Sequence, residues 1–492
     1  MNSKYLKLLA ACVLTVSATS CGDSFLDTDV YDSVDENDAL SDVSRLDAAV
    51  NGAYYQLQRY TFAGNYATNI GDIASDISYW NMQTSHFNDI YCFSVTDTDT
   101  YLSYIWQYGY NVIDDANRVI DGAAALMENA SDEEKVQINL DIAQAYALRG
   151  YCRLALSNTF CHQIKVNGQD FSSQLGIVIE DHHISATDMV SRATLGESFT
   201  AVLKDFQKSL EYFNLAGMDD GTMLRLSPQA VHGLLARTYL YLEDWQNAAD
   251  HAAQAISISG INTLAYNAAA YKTLYNGGVS NSESMFALAI DSQTNWSANS
   301  SGTLWSTYNY SPSLWLQSIM EPNDVRRAVW AWTGTSTPTE PQFAGGKFSC
   351  YSTGNPAIAT NYLVNAPEMF LIQAEANLKL NKVTPAQNAL LVVAKRNPAI
   401  TSTADLPSNP EALMSFIKDE RARELFQEGH RLWDLRRWGQ KVNVYATGAP
   451  AIEWMVKNYD ICNLVYPIPA DEINTKMGVE QNPDWNATLP SM

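Results

Sequence analysis

The stretch IKDERARELFQEGHRLWDLRRWG spans residues 417–439 and carries the most specific structural signal of the chain. Asp434 and Arg437 are three residues apart, a spacing that places opposite charges on one helix face. Gly429 lies between two helical patterns, and glycine commonly ends a helix. An apolar side accompanies the charges and consists of Leu425, Phe426, Leu432 and Leu435. The stretch therefore predicts two helices that are separated at Gly429.

The charged residues of this stretch favour a structural role. Asp419 and Arg423 are four residues apart, which also allows a pair on one helix face. The acids that a catalytic interpretation would use are Glu420, Glu424 and Glu428. Acids paired with arginines stay ionised and lack the raised pKa of a general acid. We therefore predict that this helix pair stabilises the fold, with direct ligand contact as the alternative.

Segments rich in alanine and leucine predict pairs of helices of the tetratricopeptide type. The clearest pair spans 226–258, where Pro228 suits the first turn of a helix. Ala236 and Ala248 fall on small positions of that repeat, where small side chains let two helices pack closely. Residues 370–398 have the same pattern, with Pro398 near the position where the repeat ends.

Two more helix pairs complete the predicted scaffold. Residues 141–158 are expected to pair with 195–215, and residues 43–59 with 104–125. A single repeat cannot bury its apolar face alone, so several units are expected to stack. The fold class is therefore predicted to be mostly α-helical, with about four tetratricopeptide-like units.

Two insertions, 60–103 and 261–362, interrupt this pattern and are rich in aromatic, hydroxyl and amide residues. Loops on a rigid scaffold commonly carry recognition. An aromatic ring stacks on the C–H face of a sugar, while amides and carboxylates bind its hydroxyl groups. Packing in the core is the competing interpretation for each ring. The candidate ligand-binding residues are Asp76, Tyr79, Trp80, Asn81, Trp296, Trp305 and Tyr308.

The N-terminus has the layout of a lipoprotein signal peptide. Lys4 and Lys7 precede the apolar stretch 8–16, and small residues lead to Cys21. The apolar stretch is about half of the roughly 20 residues that a membrane span requires. We predict that residues 1–20 are removed and that Cys21 is acylated, with a buried or paired thiol as the alternative. The remaining residues, 21–492, are expected to form one domain.

Charge and motifs exclude several classes of function. The net charge of −23 at pH 7 disfavours nucleic acid and other anionic polymers as partners. Asp72 and Asp76 are candidates for the carboxylate pair of a glycoside hydrolase, but 54 acidic residues make such pairs common by chance. HExxH, nucleophile-elbow and phosphate-loop motifs are absent from the sequence. We predict no enzymatic activity and no cofactor; calcium stays open, because 97–99 lacks a complete ligand set.

Residues 417–439 resemble the ERxxELxxEGxRxxDLxRW signature of the SusD/RagB family over its whole length. Other segments that resemble the family are 25–27, 106–117, 366–376, 466–469 and 481–483. Two departures are Pro367, in place of a helix-compatible residue, and Asp484-Trp485, in place of glycine-tyrosine. The resemblance implies four tetratricopeptide-like units that support a ligand-binding half, and it raises Trp80 among the candidates.

The resemblance also implies a function. It predicts a lipid-anchored protein at the cell surface of the outer membrane, which binds an oligosaccharide or polysaccharide. The glycan would pass to a SusC-like TonB-dependent transporter, the expected partner. A peptide-binding, RagB-like import protein and a tetratricopeptide scaffold for other proteins are the alternatives. Convergence of the aromatic residues of 76–91 and 296–315 in one shallow pocket would favour glycans.

Overall fold

A computed structural model describes residues 40–80, 84–185, 187–219, 221–308, 310–337, 340–445 and 454–490. The predicted signal peptide, Cys21 and Asn81 lie outside these ranges. Among the helices within them, none has both the length and the apolar character of a membrane span.

Sixteen α-helices dominate the described chain. In order they are α1 (Val43–Gln58), α2 (Tyr66–Ile73), α3 (Asn88–Tyr91), α4 (Thr100–Met127), α5 (Asp132–Phe160), α6 (Leu195–Ala216), α7 (Pro228–Tyr241), α8 (Trp245–Ser259), α9 (Ala268–Thr273), α10 (Ser301–Ser306), α11 (Leu314–Ile319), α12 (Ala366–Lys379), α13 (Val383–Ala394), α14 (Pro410–Leu425), α15 (Arg431–Arg437) and α16 (Ala470–Thr475).

Twelve short strands within the described ranges form six two-stranded antiparallel ladders. They are β1 (Ser78–Trp80), β2 (Lys165–Val166), β3 (Gln169–Asp170), β4 (Leu175–Val178), β5 (Arg192–Thr194), β6 (Ser284–Leu288), β7 (Tyr310–Pro312), β8 (Trp332–Thr337), β9 (Glu340–Phe343), β10 (Asn361–Asn365), β11 (Lys441–Tyr445) and β12 (Trp454–Asp460). The ladders β1–β7, β6–β10 and β8–β9 build the predicted insertions.

The long helices form the predicted scaffold of four helix pairs. Helix α1 packs on α4, α5 on α6, α7 on α8, and α12 on α13, while α6 contacts α7 and α8 contacts α12. Ala236 and Ala248 are fully buried, as expected for small residues between closely packed helices. The mostly helical fold with tetratricopeptide-like units is therefore confirmed.

Helix ends follow local capping rather than the apolar pattern. Helix α5 begins at Asp132 instead of near 141, because Ser131 and Glu134 form a capping box ahead of the apolar stretch. Pro367 lies in the first turn of α12. A proline is tolerated there because its missing N–H would have no partner within the helix. This departure from the family pattern therefore leaves the helix intact.

The signature forms α14 and α15, separated by a turn at Gly429 as predicted. Gly429 has φ +77°, and a Cβ atom built on it would lie 1.9 Å from the Thr68 carbonyl oxygen. The carboxylate of Asp72 on α2 accepts the N–H groups of Gln427 at 2.7 Å and Gly429 at 3.1 Å. It also accepts the N–H of Arg431 at 3.2 Å. Helix α2 therefore caps the signature turn.

Buried ion pairs surround this turn. The predicted pair of Asp434 and Arg437 is confirmed at 2.8 Å. The predicted pair of Asp419 and Arg423 is wrong, because Arg423 instead bonds Glu420, one residue further along α14, at 2.7 Å.

The acids of α14 and the turn do not all behave as predicted. Burial opposes ionisation of Glu420, but Arg326 and Arg423 hold the pKa of this carboxyl below its ordinary value. Glu428 differs, because its partner is Lys347 at 2.5 Å and burial raises its pKa. The expectation that none of these acids has a raised pKa is therefore wrong for Glu428.

Candidate functional site

The two loop segments that supplied the candidate residues meet in one ladder. Strand β1 pairs with β7, with Trp80 opposite Tyr310 and Tyr79 opposite Ser311. The aromatic residues of 76–91 and 296–315 thus converge, but Trp80 and Tyr310 meet as buried rings and not in the shallow pocket that was expected to favour glycans. The ring centroids of Trp80 and Tyr310 are 6.4 Å apart at an interplanar angle of 14°.

Most of this convergence is buried. Trp305 has no exposed surface, and its indole N–H donates to the Oδ1 atom of Asn69 at 2.6 Å. The prediction that Trp305 contacts a ligand is therefore wrong: it anchors α10 against α2. Trp80 is 6% exposed and packs against Tyr91 and Tyr310. That burial argues against an open stacking face, so Trp80 is not part of the site described below.

The two carboxylates of the hydrolase alternative are both used by the scaffold. Arg431 donates to Asp76 through Nε at 2.7 Å and Nη2 at 2.9 Å. This two-point ion pair joins the segment just before β1 to α15. It corrects the prediction of Asp76 as a ligand-binding residue. Asp72 is fully buried under the signature turn. Both carboxylates are therefore engaged in bonds within the scaffold.

Three other candidates keep exposed surface. Tyr79 is half-buried at the edge of the β1–β7 ladder. Tyr308 is half-buried and stacks on His86, with centroids 3.7 Å apart and planes 11° apart. Trp296 is half-buried as well, and its indole N–H donates to the Gln58 carbonyl oxygen at 2.9 Å. That bond fixes the Trp296 loop against the C-terminal end of α1.

Trp296 belongs to a group of half-buried aromatic rings, which we call the aromatic band. Its ring centroid lies 5.8 Å from that of Tyr60. The ring centroid of Tyr60 lies 5.5 Å from that of the buried Tyr66, and the Tyr66 centroid lies 6.4 Å from that of Tyr104. Tyr104 in turn lies 6.0 Å from Tyr108. The aromatic band consists of Tyr60, Tyr101, Tyr104, Tyr108 and Trp296.

A cation and neutral hydroxyl groups complete the surface of the band. The guanidinium carbon of Arg59 lies 4.7 Å from the Tyr108 centroid and 6.0 Å from that of Trp296. Burial raises the pKa of Tyr101, so its hydroxyl stays protonated at neutral pH. Rings with uncharged hydroxyls can stack and form hydrogen bonds at once, which is the chemistry that a sugar ring requires.

The sequence did not point to the tyrosines of the band. Tyr101, Tyr104 and Tyr108 lie on one face of α4, at spacings of three and four residues. From the sequence, residues 104–125 are assigned to a repeat helix and Tyr101 to the insertion 60–103, and none of these tyrosines is selected as a candidate. The available signal was that α4 begins at Thr100, inside the predicted insertion, because Asp99 accepts the N–H of Leu102 at 3.0 Å and caps it there.

A pocket of about 480 Å³ adjoins the band and shares Tyr104 with it. Helix α4 forms one wall, the chain near Val178 and Val190 a second, and residues 469–479 a third. We call it the α4 pocket. The indole N–H of Trp106 donates across it to the Oε2 atom of Glu472 at 3.1 Å.

Two family models match this chain. One describes the SusD family and matches residues 366–485; the other is described as starch-binding and associating with the outer membrane, and matches residues 24–240. Together they cover more than half of the chain. The chain belongs to the SusD family. The comparison with curated proteins gave no match.

Solved structures support the fold of this SusD-family protein. A SusD superfamily protein of Bacteroides thetaiotaomicron is 22% identical with a TM-score of 0.79, over 90% of this chain and 100% of that one. A SusD superfamily protein of Bacteroides vulgatus is 23% identical with a TM-score of 0.78, over 90% and 99%. A SusD-like carbohydrate-binding protein of Bacteroides vulgatus is 18% identical with a TM-score of 0.73, over 92% and 98%.

Proposed function

We propose that this SusD-family protein binds a glycan on the aromatic band. The observation that carries the proposal is the row of half-buried rings between Trp296 and Tyr108. Such rings offer apolar faces without being part of the core. Within the described ranges the hydroxyls of Tyr60, Tyr104 and Tyr108 have no hydrogen-bond partner and can bond a polyol. The name of the carbohydrate-binding structural neighbour and the starch-binding description of one family model agree with this ligand class.

The glycan is passed on rather than degraded. In this proposal the protein is held at the outer membrane by a lipid on Cys21, faces the cell surface, and hands its ligand to a SusC-like TonB-dependent transporter. The description of the family model as associating with the outer membrane supports this location. The scaffold roles of Asp72 and Asp76 agree with capture without catalysis.

A screen with polysaccharide-loaded gels tests the proposal. The full-length chain in detergent would be run through gels that contain neutral and acidic polysaccharides, and in parallel mixed with peptides of import size. We expect retardation by at least one polysaccharide and no shortened product after long incubation. Binding to peptides alone would replace the proposal with RagB-like peptide import, and released sugars would contradict capture without catalysis.

A further inference from the structure

The α4 pocket is held together by bonds between its walls. The N–H of Ala470 donates to the Asp97 carbonyl oxygen at 2.7 Å, which ties the C-terminal segment to the start of α4. The N–H of Val190 donates to the Met477 carbonyl oxygen at 2.9 Å. Tyr110 accepts the N–H of Val178 at 2.9 Å through its hydroxyl oxygen. The pocket is thus a built cavity, and its volume lies within the range of about 300–1,000 Å³ for small-ligand sites.

The walls of this pocket differ in chemistry. Ser103, Gln107 and Asn111 follow one another at four-residue spacing and form a polar stripe along α4. The rings of Trp106 and Tyr110 lie 4.7 Å apart. Aliphatic side chains complete the apolar part of the lining: Val178, Ile184, Val190 and Val479. A ligand in this pocket therefore meets an apolar surface and a row of polar groups together.

Three polar side chains of the pocket keep hydrogen-bonding atoms that are not used elsewhere in the described chain. Within the described ranges, the side-chain amides of Gln107 and Asn111 have no hydrogen-bond partner. Glu472 uses Oε2 to accept the Trp106 indole N–H, and Oε1 has no partner among the same residues. Two amides and one carboxylate oxygen can therefore bond hydroxyl groups as both donors and acceptors.

The charge of the lining selects against anionic ligands. Asp471 and Glu472 lie in it, while lysine and arginine are absent from the described lining. The whole chain adds a net charge of −23. A sulfated sugar or a uronic acid would meet repulsion without a compensating cation. A neutral sugar unit has the hydroxyls and the C–H face that the pocket complements.

We infer that the α4 pocket binds an uncharged sugar unit at an end or a branch of the glycan that lies on the aromatic band. This inference rests on the proposed function and adds a specificity-determining site to it. Tyr104 links the two surfaces, because it belongs to the band and also lines the pocket. The aromatic band then contacts the glycan with low selectivity for its shape. The amides of the pocket, in contrast, form hydrogen bonds with the hydroxyls of one sugar unit.

Two leucine variants test the pocket. Gln107→Leu and Asn111→Leu remove one amide each and keep the helix, and Asn388→Leu on the exposed face of α13 is the matched control. The full-length protein in detergent would be titrated with oligosaccharides cut from the polysaccharide retained in the gel screen. We expect each pocket variant to bind about tenfold more weakly, the loss for a ligand hydrogen bond left unmade, and the control to bind like the wild type.

The outcomes separate the pocket from the band. If Gln107→Leu and Asn111→Leu bind like the wild type while Trp296→Ala loses affinity, the pocket inference is overturned and the proposed function stands. If no polysaccharide binds, the proposed function fails. Fluorine NMR of the protein labelled at Trp106 then tests sugar binding to the pocket alone. The fluorine resonance of Trp106, assigned with Trp106→Phe, should shift with glucose, galactose, mannose or xylose but not with glucuronic acid. No shift with any neutral sugar at tens of millimolar would overturn the inference.

Discussion

At Gly429 the chain has room for a hydrogen atom only. Its φ of +77° is a conformation that L side chains rarely adopt, and a Cβ atom would lie 1.9 Å from the Thr68 carbonyl oxygen. Gly429→Ala should therefore lower the free energy of unfolding by about 3 kcal/mol or more, because backbone must move in α2 and in the signature turn. Denaturant unfolding followed by circular dichroism measures the change.

Gly52 provides the matched control. It lies inside α1, and a Cβ atom built there meets nothing within 4 Å. Gly52→Ala should leave stability unchanged or raise it by up to about 1 kcal/mol, since alanine favours the helix. Equal effects of the two substitutions would show that the turn does not require glycine.

Asp141 makes the stability depend on pH. Its carboxyl is buried in α5, with only Gln137 donating to it at 2.9 Å among the described residues. Burial, with a smaller contribution from Asp47, raises the pKa of Asp141 to about 7. The folded protein therefore keeps a proton there between about pH 4 and 7 that the unfolded chain has lost.

The sign of this effect can be tested with Asp141→Asn. Because the folded state binds the extra proton, the wild type loses stability as pH rises from about 4 to 7. The variant stays neutral throughout and still accepts the bond from Gln137. We compare the free energies of unfolding of the variant and the wild type at each pH. Their difference should shift in favour of the variant by about 1–3 kcal/mol from pH 5 to pH 8. A difference between the two proteins that is the same at both pH values would contradict the raised pKa.

At the scale of elements, a buried ion pair joins α12 to α15. Both oxygens of Glu375 accept from Arg437 at 2.6 Å, and Oε1 accepts the indole N–H of Trp438 at 2.8 Å. Glu375→Ala leaves Arg437 buried with Asp434 as its remaining partner. We expect a loss of about 3–5 kcal/mol in the free energy of unfolding, measured in guanidinium.

The double variant Glu375→Leu with Arg437→Met separates the two causes of that loss. It removes the unpaired charge and fills the space with apolar groups, so it should be more stable than Glu375→Ala. Asp434 keeps Arg421 at 2.7 Å and is not left alone. A double variant that is less stable than the single one would mean that the pair itself, and not an uncompensated charge, stabilises the contact.

Local patterns predicted the helices well because their causes lie within each segment. The twelve-residue separation of Ala236 and Ala248 placed α7 and α8, and Gly429 placed the break between α14 and α15. The same local logic failed for Arg423, since two acids, Asp419 and Glu420, lie within reach along one helix. Spacing permits a pair but does not choose between neighbouring partners.

The candidate site could be predicted only in part, because burial depends on distant partners. Trp296 and Trp305 come from the same polar and aromatic segment. Trp305 is buried because Asn69, far away in sequence, accepts its indole N–H, whereas Trp296 bonds a backbone carbonyl and keeps an exposed face. The tertiary contact with α2, which composition does not reveal, decided which of the two rings remained at the surface.

At the scale of the whole molecule, we expect Cys21 to decide where the protein resides. Cys21→Ala removes the thiol that the proposed acyl chain requires. The variant should leave the outer-membrane fraction and lose a radiolabelled fatty acid, while its soluble form keeps the helical circular dichroism spectrum. Cys462→Ala, which changes a half-buried free cysteine, is the control and should stay with the membrane. Membrane association of Cys21→Ala like that of the wild type would remove the lipid anchor from the proposal.

Calorimetry with Trp296→Ala measures the central proposal, glycan capture on the aromatic band, most directly. The ligand is the polysaccharide retained in the gel screen, and Trp245→Ala, a half-buried tryptophan on α8 in the repeat scaffold, is the control. We expect Trp296→Ala to weaken binding by ~1–3 kcal/mol, the cost of losing an aromatic anchor, and Trp245→Ala to leave it unchanged. Wild-type affinity in a folded Trp296→Ala variant would contradict the band as the glycan site.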